Sequence, residues 1–246
     1  DTIEAALRLK ELGARVVAVT NVGYSAITRV AHAVLPVCAR SEICVAATKS
    51  YIGQLAAMYL FASLCGSDCA KERLLSAADL IESAVEADGV EGLAEECSKS
   101  RGVFFLGRGA DYDVAQEGSL KLKEISYVFS AAYPAGELKH GTLALIDENT
   151  LSIVIICDEA LAEKCENAVE QIASRKGKVA VVTCIAGVYE RLKSDVEHAI
   201  LLPQCPQELA PLLSAACLQS VAYRTAVLLG RDPDKPRNLA KSVTVE

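Results

Sequence analysis

Three charged residues, Glu117, Lys121 and Glu124, follow one another at spacings of four and three in the stretch "DYDVAQEGSLKLKEISYVF", 111–129. Such spacing puts them on one stripe of a helix. Val114 and Val128 extend the stripe at its two ends, and Leu122, Ile125 and Phe129 form a second, apolar stripe suited to packing on a sheet. Three charges flanked by residues that should be covered suggest the lining of a cleft. There, Glu124 has the type and place of a general base, its proton affinity tuned by Lys121 and by partial burial. A plainer alternative is an i,i+4 Glu–Lys pair on a solvated face, worth only about 0.2–0.5 kcal/mol. Pattern alone leaves both open.

Two further groups have types that do chemistry. His140 lies in "YPAGELKHGTLALID", 133–147, where a loop with a proline and Gly136 gives way to an apolar run. Histidine titrates near neutrality without large perturbation, so it suits a proton shuttle; the alternative is a satisfied loop or helix-start residue. Lys241 lies in the ending "KPRNLAKSVTVE", which has no helical period and reads as an extended tail. A nucleophilic lysine must be desolvated to lose its proton; otherwise Lys241 is a solvated tail residue. His32 and His198 precede apolar runs and receive no role. The loop "LGRGADY", 106–112, is a poor dinucleotide fingerprint, because Tyr112 replaces the third glycine and Asp111 and Asp113 repel a pyrophosphate.

The elements that must position these groups alternate. Apolar, β-branched runs at 15–21, 103–107, 151–158, 178–184 and 199–203 read as buried strands, with a weak one in "AVLPV". Helical patterns lie near 2–12, 43–64, 71–86, 88–98, 111–129, 159–175 and 207–229. The alternation predicts an α/β fold with parallel sheets. Strands cluster after residue 100, so a complete α/β unit is expected from about 87 onward and a strand-poor unit over 1–86. Thr2 with Glu4 reads as a helix start. A doubly wound unit places a strand before such a helix, so we expect the sequence to be a piece whose upstream part is absent.

Composition narrows the classes. The chain has 246 residues, 52% of them hydrophobic, and a formal net charge of −7, so it buries a sizeable core and offers no basic nucleic-acid surface. The longest uninterrupted apolar stretch, 52–65, is short of a membrane span, and 210–230 carries Gln219 and Arg224. Ten cysteines without a CxxC, mostly inside apolar runs, and three scattered histidines predict no disulfides and no metal site. A reducing, cytoplasmic compartment follows.

Taken together, "LGRGADYDVAQEGSLKLKEISYVFSAAYPAGELKHGTLALID", the ending "KPRNLAKSVTVE" and "SEICVAATKSYIGQLA" resemble the isomerase half of the glutamine–fructose-6-phosphate aminotransferase (isomerising), or glucosamine-6-phosphate synthase, family. The resemblance covers nearly the whole chain and is most specific over 117–147 and the last dozen residues. It implies two sugar-isomerase (SIS) domains, each a doubly wound parallel sheet flanked by helices. The first, 1–86, would be incomplete; the second, 87–246, would carry the C-terminal tail. It implies conversion of fructose 6-phosphate, with ammonia released from glutamine by a separate glutaminase domain, to glucosamine 6-phosphate, and no cofactor.

By the same resemblance Glu124 moves the proton between C1 and C2, with Lys121 and Glu117 assisting. His140 helps open the sugar ring from the other subunit of a dimer, and Lys241 holds the sugar as a Schiff base. Val45 and Ala47 contact the sugar; the family usually has serine where this chain has Ala47, which puts one hydroxyl contact in question. In the family a Ser/Gln/Thr-rich phosphate loop lies just upstream of the residues matching Asp1 and Thr2, so this chain by itself is expected to be inactive. Two other readings are a stand-alone SIS enzyme, either a glucosamine-6-phosphate deaminase or a ketose/aldose isomerase, and a non-catalytic SIS sugar-phosphate sensor.

Overall fold

A computed structural model describes residues 1–66 and 71–241. The end of the "NLAKSVTVE" stretch, 242–246, lies outside the described residues. The chain divides into two compact units, one of residues 1–43 and 47–74, the other of 44–46 and 75–246.

The first unit holds α1 (Thr2–Glu11), β1 (Val17–Thr20), α2 (Ala26–Val30), β2 (Ala33–Pro36) and α3 (Lys49–Leu64). The two strands pair in parallel, Val17 opposite Ala33 through Thr20 opposite Pro36. The helix expected from 43 begins only at Lys49. Glu42 caps it instead: its carboxylate accepts the Thr48 and Ser50 N–H groups at 2.9 and 3.2 Å and the Ser50 hydroxyl at 2.5 Å. His32 has a structural job here, its Nδ1 accepting the Val16 N–H at 3.0 Å. α4 (Lys71–Val85) runs across the division between the units.

The second unit holds the Glu117–Lys121–Glu124 stripe. Its elements are α5 (Val90–Lys99), β3 (Gly102–Gly107), α6 (Ala110–Ser126), β4 (Ser130–Pro134), β5 (Thr150–Ile155), α7 (Ala162–Ala173), β6 (Lys178–Thr183), α8 (Ala186–Leu192), β7 (His198–Leu201) and α9 (Ala210–Leu228). Five parallel strands form one sheet in the order β4-β3-β5-β6-β7. Strands β3 and β5 are buried along their whole length. That explains their continuous apolar runs, because a parallel sheet covered on both faces has no solvent side. Residues alternate between faces. Phe104, Leu106, Val154 and Val181 meet Ala168, Val169 and Ile172 of α7 and Val188 of α8. Phe105 faces the other way, toward α6.

Helix α6 is a middle layer. At Gly118 a Cβ would lie 2.7 Å from Leu218 of α9 and 2.9 Å from Phe105 of β3. Only glycine lets the helix fit between the sheet and α9. The sequence pattern runs this helix to 129, but Tyr127 takes φ 66° and ends it after Ser126. Val128 therefore leaves the charged stripe and Phe129 the apolar one. Leu122 and Ile125 are buried as expected, whereas Phe129 is 66% exposed. Strand β4 and helix α8 had no expected counterpart in the sequence.

Candidate functional site

Because α6 lies between the sheet and α9, its middle turns are out of water. Lys121 is 3% exposed, Glu117 7% and Glu124 22%. The solvated-face alternative is thereby overturned. Lys121 Nζ lies 2.6 Å from Glu124 Oε2 and 3.9 Å from Glu117 Oε1. Gln219 of α9 donates its Nε2–H to Glu117 Oε1 at 3.1 Å. One buried ammonium thus serves two carboxylates, and a buried charge without such partners would be very costly. Burial pushes the Glu117 carboxyl up to about 7, against the opposing pull of Lys121 and the Gln219 hydrogen bond; the neighbouring Glu124 adds to the rise. Glu124 alone of the three keeps a share of solvent access, so it is the member able to meet a substrate.

The tail docks next to this helix. Tyr127 comes three residues after Glu124, and its hydroxyl accepts the Arg237 N–H at 2.8 Å. Its ring also carries two guanidinium groups, Arg237 at 4.5 Å and Arg231 at 5.2 Å from the centroid. On both sides of that anchor the tail meets Cys44 and Val45. Val45 N–H donates to the Asp234 carbonyl at 3.2 Å, and the Cys44 thiol to the Pro233 carbonyl at 3.0 Å. Lys241 Nζ donates to the Val45 carbonyl at 3.5 Å. Two positions singled out in sequence, Val45 and Lys241, therefore meet. The Lys241 side chain is exposed, so its ammonium is not desolvated in this chain by itself.

His140 is not brought to the stripe. It is exposed, at the end of a short helical turn over 135–139, and its backbone N–H donates to the Glu137 carbonyl at 3.0 Å. Its ring makes no hydrogen bond to Glu117, Lys121 or Glu124. Ala47, half-buried, belongs to the first unit. Sequence reasoning missed Gln219, noted only as a polar break in an apolar run, and missed Tyr127, Arg231 and Arg237 altogether. The signal for Tyr127 was its place right after the charged stripe.

The glycine-rich loop is not a nucleotide cradle. Strands β4 and β5 flank β3 on opposite sides, so the crevice at the carboxyl ends of β3 and β5 is where such a sheet usually takes ligands. Asp111 fills it. Its Oδ2 accepts the Cys157 and Asp158 N–H groups at 2.8 and 3.3 Å. Burial raises the Asp111 carboxyl to about 6, while those two donors pull it down. Among the described residues no group of His, Cys, Asp and Glu could hold a metal ion, and no helix is long and apolar enough to cross a membrane.

Known proteins share this sequence and fold. The SIS domain family model matches residues 1–64 and 96–229. The glutamine–fructose-6-phosphate aminotransferase (isomerizing) of Clostridium tetani is 44% identical over all of this chain, which spans 42% of that enzyme's length. A Rhizobium meliloti enzyme of the same name is 40% identical, and again 42% of it is spanned. Among solved structures, the C-terminal domain of glucosamine-fructose-6-phosphate aminotransferase from Francisella tularensis superposes with a TM-score of 0.87 at 32% identity, covering 96% of this chain and 70% of that one. A glucosamine-6-phosphate deaminase from Thermotoga maritima shares the fold, with a TM-score of 0.77 at 24% identity and 96% and 68% coverage. This chain belongs to the SIS domain family and, within it, to the C-terminal domain of the glutamine–fructose-6-phosphate aminotransferases.

Proposed function

We propose that this chain supplies the sugar chemistry of a glucosamine-6-phosphate-forming enzyme, taking fructose 6-phosphate and ammonia to glucosamine 6-phosphate. The observation that carries the reading is the buried Lys121 set between Glu117 and Glu124, with Glu124 alone partly open. Shifting a proton between adjacent carbons needs a positioned carboxylate. Glu124 takes the proton from one carbon and returns it to the other. Lys121 orients Glu124 through their ion pair, and Glu117, poised near 7, exchanges a proton beside them.

Lys241 is the imine-forming residue: its ammonium gives up a proton, the amine adds to the ketose carbonyl, the carbinolamine hydroxyl takes up a proton and leaves as water, and the protonated imine acts as an electron sink. The Val45 carbonyl holds the Lys241 amine, and Val45 and Ala47 contact the sugar. His140, exposed on its turn, serves ring opening in the site of a second copy, which makes a homodimer the working state. Residues 1–86 act as a partial first SIS domain and 87–246 as the second. Glutamine is the nitrogen source through a glutaminase domain of the whole enzyme, in the cytoplasm.

The test is to give the whole enzyme fructose 6-phosphate with glutamine or with ammonia. Glutamine-dependent glucosamine 6-phosphate supports the reading. Product from ammonia alone points to a deaminase running backward, and binding without turnover to a sensor. Borohydride trapping of the sugar on Lys241 must vanish in Lys241→Ala; unchanged trapping ends the imine assignment.

A further inference from the structure

A second cluster of cations lies away from the Glu117–Lys121–Glu124 stripe. Arg108 follows β3, Lys139 lies on the turn after β4, and Lys164 is in the first turn of α7. With Ala135, Gly136, Asn167 and Gln171 they line one cavity of about 400 Å³. No carboxylate lines it. This is an unusual concentration of positive charge in a chain of net charge −7, and among the described residues none of the three cations has an ion pair.

The cavity is shaped around the guanidinium. A Cβ at Gly136 would lie 2.9 Å from Arg108 Nη2 and 3.2 Å from Nη1, so a side chain there would displace the group. Arg108 Nε is buried and, among the described residues, has no hydrogen-bond acceptor. A buried donor without an acceptor costs about 1–3 kcal/mol, and an anion with several acceptor oxygens would remove that cost. Guanidinium suits such a ligand because its donors form a planar fork that matches phosphate oxygens in pairs. Lys139 and Lys164 add point charges, and the amides of Asn167 and Gln171 suit the hydroxyls of an attached sugar.

We propose that this cavity is a binding site for the phosphoryl group of a small phosphate ester, separate from the stripe. Gly136 and Lys139 belong to the turn that ends at His140. A phosphoryl group bridging Lys139 and Lys164 therefore ties that turn to α7 and regulates how freely it moves. The binding itself does not depend on the reaction assigned to the stripe.

The test is calorimetric titration of the whole protein with inorganic phosphate and with glucose 6-phosphate, joined to amide hydrogen exchange. Both ligands are expected to slow exchange over 135–140 and the start of α7, with weaker binding at high salt. Lys164→Gln, a change on an exposed side chain, should weaken binding roughly tenfold, and Arg108→Gln more. Glu124→Gln should leave this protection intact even where it stops proton transfer, so the two readings fail separately. Unchanged affinity in both Lys164→Gln and Lys139→Gln, or protection confined to other segments, overturns the site. So does protection of 135–140 by an acidic peptide but by neither phosphate.

Discussion

Helix α6 buries carboxylates in two places, and they are satisfied in different ways. At its N-terminal turn Asp111 accepts two backbone N–H groups that follow β5. Those donors are fixed to the sheet and cannot leave. Two turns on, Glu117 and Glu124 share Lys121, a side chain that can pair with either. Backbone donors make a rigid latch. A shared ammonium makes a place where a proton and a charge can be redistributed at low cost. The first arrangement ties α6 to the chain after β5 beside the crevice where doubly wound sheets usually bind ligands; the second leaves Glu124 partly open near the other end of the same helix. On the function proposed above, Asp111 serves architecture and the stripe serves chemistry.

Substitutions can break that contrast. The largest expected effect is on rate. Glu124→Gln keeps the shape of the side chain but removes the base, and should lower sugar turnover roughly 10²–10⁴-fold with little change in melting temperature. Full turnover in Glu124→Gln would remove the stripe from the chemistry. Next comes Lys121→Met, which strands Glu117 among apolar neighbours without its cation. Stability should fall by about 3–5 kcal/mol, read by urea unfolding, unless Glu117 takes up a proton. Because Lys121 pulls the Glu117 carboxyl down, removing it lets Glu117 protonate above pH 7, so the stability loss should be largest at high pH and shrink as pH falls towards 7. Smaller still is Asp111→Ala, which leaves the Cys157 N–H without an acceptor. It should cost about 1–3 kcal/mol while sparing turnover per folded molecule. A variant that folds at wild-type stability yet loses turnover would reverse the assignment of the two ends.

How much of this was legible beforehand follows from what each element depends on. Strands β3, β5 and β6 were readable because full burial demands continuous apolar runs. Strand β4, "SAAYP", was not: small residues and a proline make no such run, and its strand state comes from pairing with β3, Val103 opposite Ser130 through Gly107 opposite Pro134. The stripe was readable as geometry but not as environment. Whether Lys121 meets water depends on α9, whose Gln219 is 102 residues away from Glu117. Tyr127 escaped because nothing in a tyrosine's type announces a left-handed backbone. Its contacts with Arg231 and Arg237 come from the tail's return, which short-range patterns do not encode.

The subtlest effect is the dependence of stability on pH, and it separates the two ends of α6 most finely. A carboxyl raised in the fold binds a proton that the unfolded chain has already lost. For Glu117, between its ordinary value near 4.5 and its folded value of about 7, the native state holds more protons than the unfolded state. Stability must then fall as pH rises through that window and level off above it. The drop is on the order of 2 kcal/mol, since each tenfold change in proton affinity is worth about 1.4 kcal/mol and Lys121 can readjust. Asp111, raised to about 6, adds a fall of the same sign that ends lower. Glu117→Gln should therefore flatten the curve between about pH 6 and 7 and only lessen the slope between about 4.5 and 6, where Asp111 still contributes. Asp111→Asn should lessen the slope below about 6 and leave that between about 6 and 7. Unfolding curves collected across this range read both at once. If Glu117→Gln changed nothing between pH 6 and 7, Glu117 would be ionised throughout that window, held so by Lys121, and not free to take up a proton there.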